Sequence, residues 1–259
     1  MSKASLNQGK QILNLFSKST EEEVQRIIEA GDLLKMMMKV DITEVDREKF
    51  QKALMARLSI FGPFSTVTVP ATTAAEPFNA KNSFVVDTSD NAPVKISGTG
   101  SNFNNWFLVG NGNIKDPISE ITLRYAKLKK AFLDNAIIVE LGDVAKVTMS
   151  LVEVFSLMLQ QPKREEGDLS IDELNIFYVP QQVEMILETK FSFTDAEGKT
   201  VIEEVKDSKY LFQIGDIWYV LRAVNVYWGG RGWRIDARSV GDPDGWGVGH
   251  QVFSHKDLS

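Results

Sequence analysis

The sequence predicts an α+β protein, in which an N-terminal helical module precedes a mainly antiparallel β domain with one packed helix. Apolar residues recur every three or four positions as far as Leu58, which is helical spacing. Gly62-Pro63 interrupts this pattern, and β-branched runs separated by turn residues follow. We therefore expect a helical module over residues 1–61 and a β-rich domain over residues 62–259 that ends in a recognition hairpin.

The composition excludes several kinds of chemistry. The 259 residues include 43% hydrophobic and 25% charged residues, carry a net charge of −6 and contain no cysteine. An acidic chain is a poor nucleic-acid binder, and a chain without cysteine has no disulfide, thiolate nucleophile or cysteine-bound metal. We expect no cofactor, no metal and no nucleic-acid partner. Since no apolar run nears about 18 residues and no signal peptide is evident, we expect a cytoplasmic protein without a membrane span, and export without a cleaved signal stays open.

Helix signals fill the N-terminal module, and strand signals begin the β domain. Ser19 and Glu22 have capping-box spacing, and the methionine run at 36–38 suits either core packing or an adaptable binding surface. Residues 98–102 resemble a glycine-rich phosphate loop but lack its third glycine and its Lys-Ser/Thr ending, so we interpret them as a plain loop. The short apolar stretch at 136–141, which Gly142 closes, is expected to be a strand.

One helix is well specified within the β domain, and strands dominate after it. Ser150 and Glu153 again have capping-box spacing, and the apolar residues after them keep helical periodicity until Pro162. The strands predicted beyond this helix are 176–179, 183–193, 201–206, 210–214, 217–228, 233–240 and 251–254.

The last hairpin separates into two faces. Strand alternation places Trp233, Ile235 and Ala237 on one side and the charged residues between them on the other. Tyr, Trp, Arg, Asp and His on a rigid sheet are typical of recognition surfaces. The candidate binding residues on this open face and in the adjoining loop are Asn225, Tyr227, Arg231, Arg234, Asp236, Arg238, Asp242, Asp244, Trp246 and His250. Trp246 is the tryptophan we expect to contact a partner, although an ordinary solvated sheet face with cross-strand charge pairs explains the pattern equally well.

Sharper chemical interpretations fail on their spacing. The Asp242-Pro243-Asp244-Gly245 segment lacks the further acids of a calcium loop. His250 and His255 are five residues apart, which on a strand sends them to opposite faces. There is no nucleophile elbow, so paired carboxylates such as Asp236 and Asp242 are the remaining route to catalysis.

The frame around these positions resembles a family of uncharacterised proteins encoded in candidate-phyla bacteria. The fixed residues that carry the resemblance at the C-terminus are Asn175 to Val179, Leu221 to Val224, Val226, Trp228, Gly232, Trp233, Ile235, Ala237, Ser239, Val240, Trp246 and Val252 to Ser254. The upstream segments are 31–34, 66–73, 92–97 and 137–142, whereas 181–213 looks longer than in the relatives.

The resemblance implies that positions between the fixed residues vary, as in the variable proteins of diversity-generating retroelements. The matching positions are Asn225, Tyr227, Arg231, Arg234, Asp236, Arg238, Asp242, Asp244 and His250. The resemblance also implies a C-type lectin-like fold, although lectin signatures are not evident in the sequence.

We therefore expect a non-catalytic protein that presents a diversifiable recognition surface to an unknown protein or surface ligand. The alternative is a structural or assembly protein of a phage-like kind, whose edge strands and methionine-rich helices mediate subunit contacts. A hydrolase that uses surface carboxylates comes third.

Overall fold

The computed structural model describes residues 20, 59–72, 77–109, 114–205 and 207–256. The chain divides into two units, Met1–Ser59 and Ile60–Ser259. The helices predicted for the N-terminal module, including the methionine-rich one, lie outside the described residues. The helices and strands of the described residues all belong to the second unit.

In this unit, short helices lie among the first strands, and a run of strands follows the last α-helix. The strands are β1 (Ser65–Val69), β2 (Phe78–Asn79), β3 (Ile96–Thr99), β4 (Ile114–Lys115), β5 (Ile121–Lys127), β6 (Asn175–Met185), β7 (Lys190–Thr194), β8 (Thr200–Glu204), β9 (Leu211–Ile214), β10 (Ile217–Trp228), β11 (Trp233–Ser239) and β12 (Gln251–His255). The helices are α1 (Ala80–Ser83), α2 (Ser101–Phe107), α3 (Asp134–Leu141), α4 (Val144–Val147) and α5 (Leu151–Gln160), with a 3-10 turn at Ser208–Tyr210.

Ten strands form one mixed sheet, which confirms the β-rich part of the predicted fold class. Its order is β1-β5-β12-β6-β10-β11-β3, with β9 beside β10 and the β7–β8 hairpin extending from β6. The β12–β6 and β11–β3 pairs are parallel and the other pairs are antiparallel. Strands β2 and β4 form a separate antiparallel pair.

Hydrophobic cores cover both faces of the sheet. Phe177 and Val224 belong to the core that also contains the buried residues of α5, whereas their neighbours Tyr178 and Ala223 belong to the core beneath α3. Because successive side chains of a strand point to opposite faces, these central strands are apolar on both sides.

Helix α5 forms as the sequence predicts. The Ser150 hydroxyl accepts from the amide of Glu153 at 3.3 Å, and the Glu153 carboxylate accepts from the amide of Ser150 in return. This capping box satisfies two amides that a helix start otherwise leaves without partners. The predicted capped and packed helix after Ser150 is confirmed, but four further helices occur in the described β domain, so the expectation of one helix is wrong.

Several local predictions are wrong. The strand predicted over 183–193 is interrupted, since β6 ends at Met185 and β7 begins at Lys190. Residues 134–141 are helix α3 and not a strand, and Gly142 ends it with φ +120°. A short apolar run fits a buried strand and a buried helix equally well, and here Asp134 in the first turn favours the helix. Residues 98–102 are also not a plain loop, since β3 continues to Thr99 and α2 begins at Ser101.

Strand β6 continues through Pro180, where the sequence predicted an end. The carbonyl of Tyr178 accepts from the amide of Met149 at 2.8 Å, so the peptide groups of Tyr178 point away from β10. Pro180 lies two residues further and has the same orientation, so the ladder with β10 does not need its missing N–H.

Candidate functional site

The β10–β11 hairpin presents four cross-paired side chains to one side. Asn225 lies opposite Asp236, and Tyr227 lies opposite Arg234, which is the register that strand alternation predicts. We call these four residues the hairpin face. Gly230, with φ +73°, lies in the turn that joins the strands, where glycine adopts the left-handed conformation at low cost.

The opposite side of the hairpin is fully packed. Trp233, Ile235 and Ala237 are 0%, 1% and 3% exposed, whereas Arg234 and Asp236 between them are exposed. The indole Nε1 of Trp233 donates to the carbonyl of Gln161 at 2.9 Å. The packed side therefore holds the hairpin backbone in place independently of the face residues.

Strand β3 closes the outer edge of the hairpin. The amide of Trp233 donates to the carbonyl of Lys95 at 2.8 Å, and the Ser97 hydroxyl donates to the carbonyl of Gly232 at 3.0 Å. A Cβ atom at Gly232 would lie 2.6 Å from that Lys95 oxygen, so only glycine permits this approach. The face is thus part of an internal strand pair with a fixed register.

The face combines an aromatic ring with charges of both signs. The Arg234 guanidinium lies 6.0 Å from the centre of the Tyr227 ring, at the limit of a cation–π contact. The Asp236 carboxylate lies over the bare backbone of Gly100, where an added Cβ would be 2.1 Å from Oδ1. Such an arrangement supports hydrogen bonding and stacking with a partner.

Trp246 is buried, which corrects our expectation that it contacts a partner. Its side chain is 3% exposed, and its indole Nε1 donates to Oδ1 of Asp134 at 2.6 Å. The Arg238 guanidinium covers the ring at 3.4 Å from its centre. Trp246 therefore anchors the loop that contains it, and most of the Arg238 side chain is buried against the Trp246 ring.

Asp134 is the centre of this buried network. It is 0% exposed and accepts from the Tyr178 hydroxyl at 2.9 Å and the amide of Gly241 at 3.2 Å, while Nη2 of Arg238 lies 3.9 Å from Oδ2. Burial, reinforced by the Asp134 charge, raises the pKa of Tyr178 well above its ordinary value. The network fixes the loop over residues 241–250 to helix α3.

The remaining candidates lie along this loop or at the hairpin turn. Arg231 and Asp244 are exposed, and half-buried Asp242 accepts from the amide of Asp244 at 3.0 Å. Nδ1 of His250 accepts from the amide of Gly247 at 3.0 Å. Burial lowers the pKa of His250, an effect that nearby Glu173 opposes.

The carboxylates proposed for catalysis have different surroundings. Asp236 lies against Gly100, while Asp242 borders a cavity of about 210 Å³ with Glu203 and Ser239. His255 is bound to Glu153, with 2.7 Å between Nε2 and Oε1. No group of three acidic, histidine or cysteine side chains with the spacing of a metal site occurs in the described part of the chain.

Two buried charged residues were missed by sequence reasoning. The residues around Asp134 also fit a loop that leads into a strand, so the local sequence does not indicate that this aspartate is buried. Arg222 interrupts the apolar run of β10, which was an available signal, and it is 1% exposed. Its guanidinium donates to Gln181 at 2.7 Å and Glu203 at 2.6 Å.

No family model, curated protein or solved structure matches the chain. Among the described residues, no helix has the length and apolar character needed to cross a membrane.

Proposed function

We propose that the protein is a non-catalytic binding protein that recognises a protein or surface ligand through the hairpin face. The alternation of burial along β11 carries this proposal, since Ile235 is 1% exposed between two exposed charged residues, Arg234 and Asp236. Tyrosine and arginine are the side chains that most often dominate binding energy at interfaces.

The same alternation supports a diversifiable surface. Arg234 and Asp236 are exposed and bury little apolar area, so their replacement changes stability by less than about 0.5 kcal/mol, whereas Asn225 and Tyr227 are half-buried. The packed side and β3 hold the backbone whatever the face carries. We place Arg231 and Asp244 at the margin of this surface, and we place Arg238, Trp246 and His250 in its support.

Selection of phage-displayed peptides on the immobilised protein tests the proposal. We expect the selected peptides to lose binding when all four face residues are changed to serine. A matched control changes exposed Glu197 and Lys199 of the β7–β8 turn to serine and leaves binding intact. Peptides that bind both variants equally would place the recognition surface elsewhere.

The DNA beside the gene tests diversification separately. A near-copy of the segment that encodes residues 225–250, differing at adenines and adjoining a reverse transcriptase gene, is the expected finding. A locus without such a copy would contradict diversification and leave the binding proposal to the peptide selection.

Exposed isoleucines favour subunit assembly as a second candidate function. Ile202 on β8 is 64% exposed, and within the described residues β8 pairs only with β7. A strand edge with an apolar side chain is suited to pairing with another chain. An oligomer of defined size in sedimentation velocity, which Ile202→Lys dissociates, would favour this function.

A further inference from the structure

A cavity of about 310 Å³ lies where strands β6 and β7 separate. The ladder between these strands reaches the Glu184–Ser192 pair and does not continue beyond it. Gln182 on β6 and Thr194 on β7 would form the next pair of the same kind, and both line the cavity. The cavity therefore occupies a gap between two strands that are joined at one end.

The gap has unpaired main-chain groups on two sides. The amide of Ile186 donates to the carbonyl of Lys190 at 2.9 Å, so even-numbered residues of β6 and β7 direct their peptide groups toward each other. Gln182 and Thr194 have this orientation, but their strands are no longer paired there. Donors and acceptors of this kind suit a ligand that itself contains a peptide group.

Strand register places most polar side chains of the wall on one side of the sheet. Glu184 and Ser192 are cross-strand partners, as are Thr194 and Thr200, and partners share a side. Gln182 lies two positions from Glu184 and points the same way. We call the side formed by these five residues the polar side of the cavity.

Ser192 is the buried polar group of this side. It is 8% exposed, and its hydroxyl makes no hydrogen bond within the described residues. It is not among the fully enclosed polar atoms without a partner, so it reaches the cavity. Asn105 elsewhere in the wall already accepts from the amide of Ala196 at 3.3 Å. Because buried polar groups are normally satisfied, the Ser192 hydroxyl is available to a ligand.

Two charges of opposite sign line the cavity. Exposed Glu184 and half-buried Lys115 form no ion pair with the described residues. Nζ of Lys115 lies 5.7 Å from the ring centre of Tyr219, the cross-strand partner of Gln182, which puts the amine on the polar side. Burial lowers the pKa of Lys115, an effect that the charge of Asp116 opposes. The two charges thus lie two strand positions apart, or about 7 Å along β6.

The other side of the gap is largely aromatic. Val183 and Phe193 occupy odd-numbered positions and point there. Trp106 joins them, 8% exposed, with the Arg222 guanidinium 3.8 Å from its ring centre. Gln181 also lies on this side, where its Oε1 accepts from Nε of Arg222 at 2.7 Å. An apolar side chain of a ligand would be buried here.

We propose that this cavity binds a dipeptide with free termini, its ammonium at Glu184 and Ser192 and its carboxylate at Lys115. Two residues of extended chain span about 7 Å, which matches the spacing of the two charges. The ligand's peptide group then faces the main chain of Gln182 and Thr194, and one of its side chains reaches the aromatic side. The proposal is independent of the hairpin face.

Isothermal titration calorimetry of the full chain with the dipeptide Ala-Phe tests this proposal. Acetyl-Ala-Phe lacks the ammonium, and Ala-Phe amide lacks the carboxylate. We expect each blocked dipeptide to bind about 10-fold more weakly than Ala-Phe, because each loses one charge-assisted contact. Free phenylalanine should also bind more weakly, since one residue is too short to reach both charges.

Two variants assign each terminus to one side chain. Glu184→Gln should bind Ala-Phe about 10-fold more weakly and no longer distinguish it from the acetylated form, while still preferring it to the amide. Lys115→Met should show the reverse pattern. Ser192→Ala should weaken binding of Ala-Phe about 3-fold. A general disturbance of the cavity would not remove one preference and keep the other.

Control variants change similar residues outside the cavity. Glu188→Gln and Lys127→Met alter exposed charges, and the four-serine variant removes the hairpin face; all three should bind Ala-Phe as the unmodified protein does. Circular dichroism verifies folding, and exposed Glu184 decides the matter if Lys115→Met is unfolded. Absence of Ala-Phe binding, equal affinity for the blocked dipeptides or for phenylalanine, or unchanged preferences in the folded cavity variants would overturn the proposal.

Discussion

Replacing Arg238 by methionine tests the buried network around Asp134 separately from the hairpin face. The guanidinium lies 3.4 Å from the Trp246 ring centre and 3.9 Å from Oδ2 of Asp134, and 19% of the side chain is exposed. Methionine keeps an apolar stem against the indole but removes the charge. Arg234→Met makes the same chemical change at an exposed position on the same side of β11, four residues earlier.

The expected cost follows from the contacts that each variant loses. Two unit charges about 4 Å apart attract by about 4 kcal/mol at an effective dielectric constant of about 20, and a partly desolvated cation–π contact contributes about 1 kcal/mol. Nε and Nη2 of Arg238 are buried without a hydrogen-bond partner, so relief of their desolvation offsets part of this loss. Asp134 keeps three other donors. We therefore expect Arg238→Met to lower the free energy of unfolding by about 2–3 kcal/mol, against less than about 0.5 kcal/mol for Arg234→Met.

Urea unfolding followed by tryptophan fluorescence and circular dichroism measures both variants. Combining Arg238→Met with Asp134→Asn should cost less than the sum of the single changes, by about 1–2 kcal/mol, because each single change already breaks the pair. Equal stability of the two arginine variants would refute the assignment of Arg238 to the support of the loop.

Three further predictions concern single positions. Ser150→Ala should lower the free energy of unfolding by about 1 kcal/mol through loss of the α5 cap, whereas exposed Ser119→Ala should leave it unchanged in the same urea assay. Burial lowers the pKa of His250, so the folded state binds fewer protons there than the unfolded chain, and stability should fall as the pH drops through the ordinary histidine pKa near 6.5. The melting temperature of His250→Asn, which retains a hydrogen-bond acceptor, should fall less between about pH 7.5 and 5 than that of the unmodified protein. An equal fall in the two proteins would contradict this. Gly232→Ala should lower the free energy of unfolding by about 2–3 kcal/mol, because the added Cβ would meet the carbonyl oxygen of Lys95. Gly98→Ala, whose added Cβ has its nearest contact 3.8 Å away, should be tolerated. Equal melting temperatures of the two variants would count against the fixed hairpin edge.

Periodicity predicted the hairpin well because its information is local. The alternation from Trp233 to Arg238 and the glycines of the turn define the strands, their register and their buried side. The capping box at Ser150 is equally local, and it also agrees with the structure.

Long-range contacts explain what the sequence did not predict. Strand β3 is far from β11 in the chain, so nothing near the hairpin indicates that its edge is closed. The interpretation of Trp246 as a contact residue failed because its partner, Asp134, lies more than a hundred positions earlier. An exposed and a buried indole look the same in a glycine-rich loop, and only tertiary structure distinguishes them.

Because β12 lies between β5 and β6, the sheet can form only when the reading frame is kept through the hairpin. Residues 251–255 follow the hairpin in the chain yet occupy the middle of the sheet. A frameshift or stop codon anywhere in the hairpin therefore removes a central strand as well, and β5 and β6 lose the strand that pairs with both of them. In a protein whose face varies as we propose, only in-frame changes would yield a folded molecule, and every folded molecule would display a complete face.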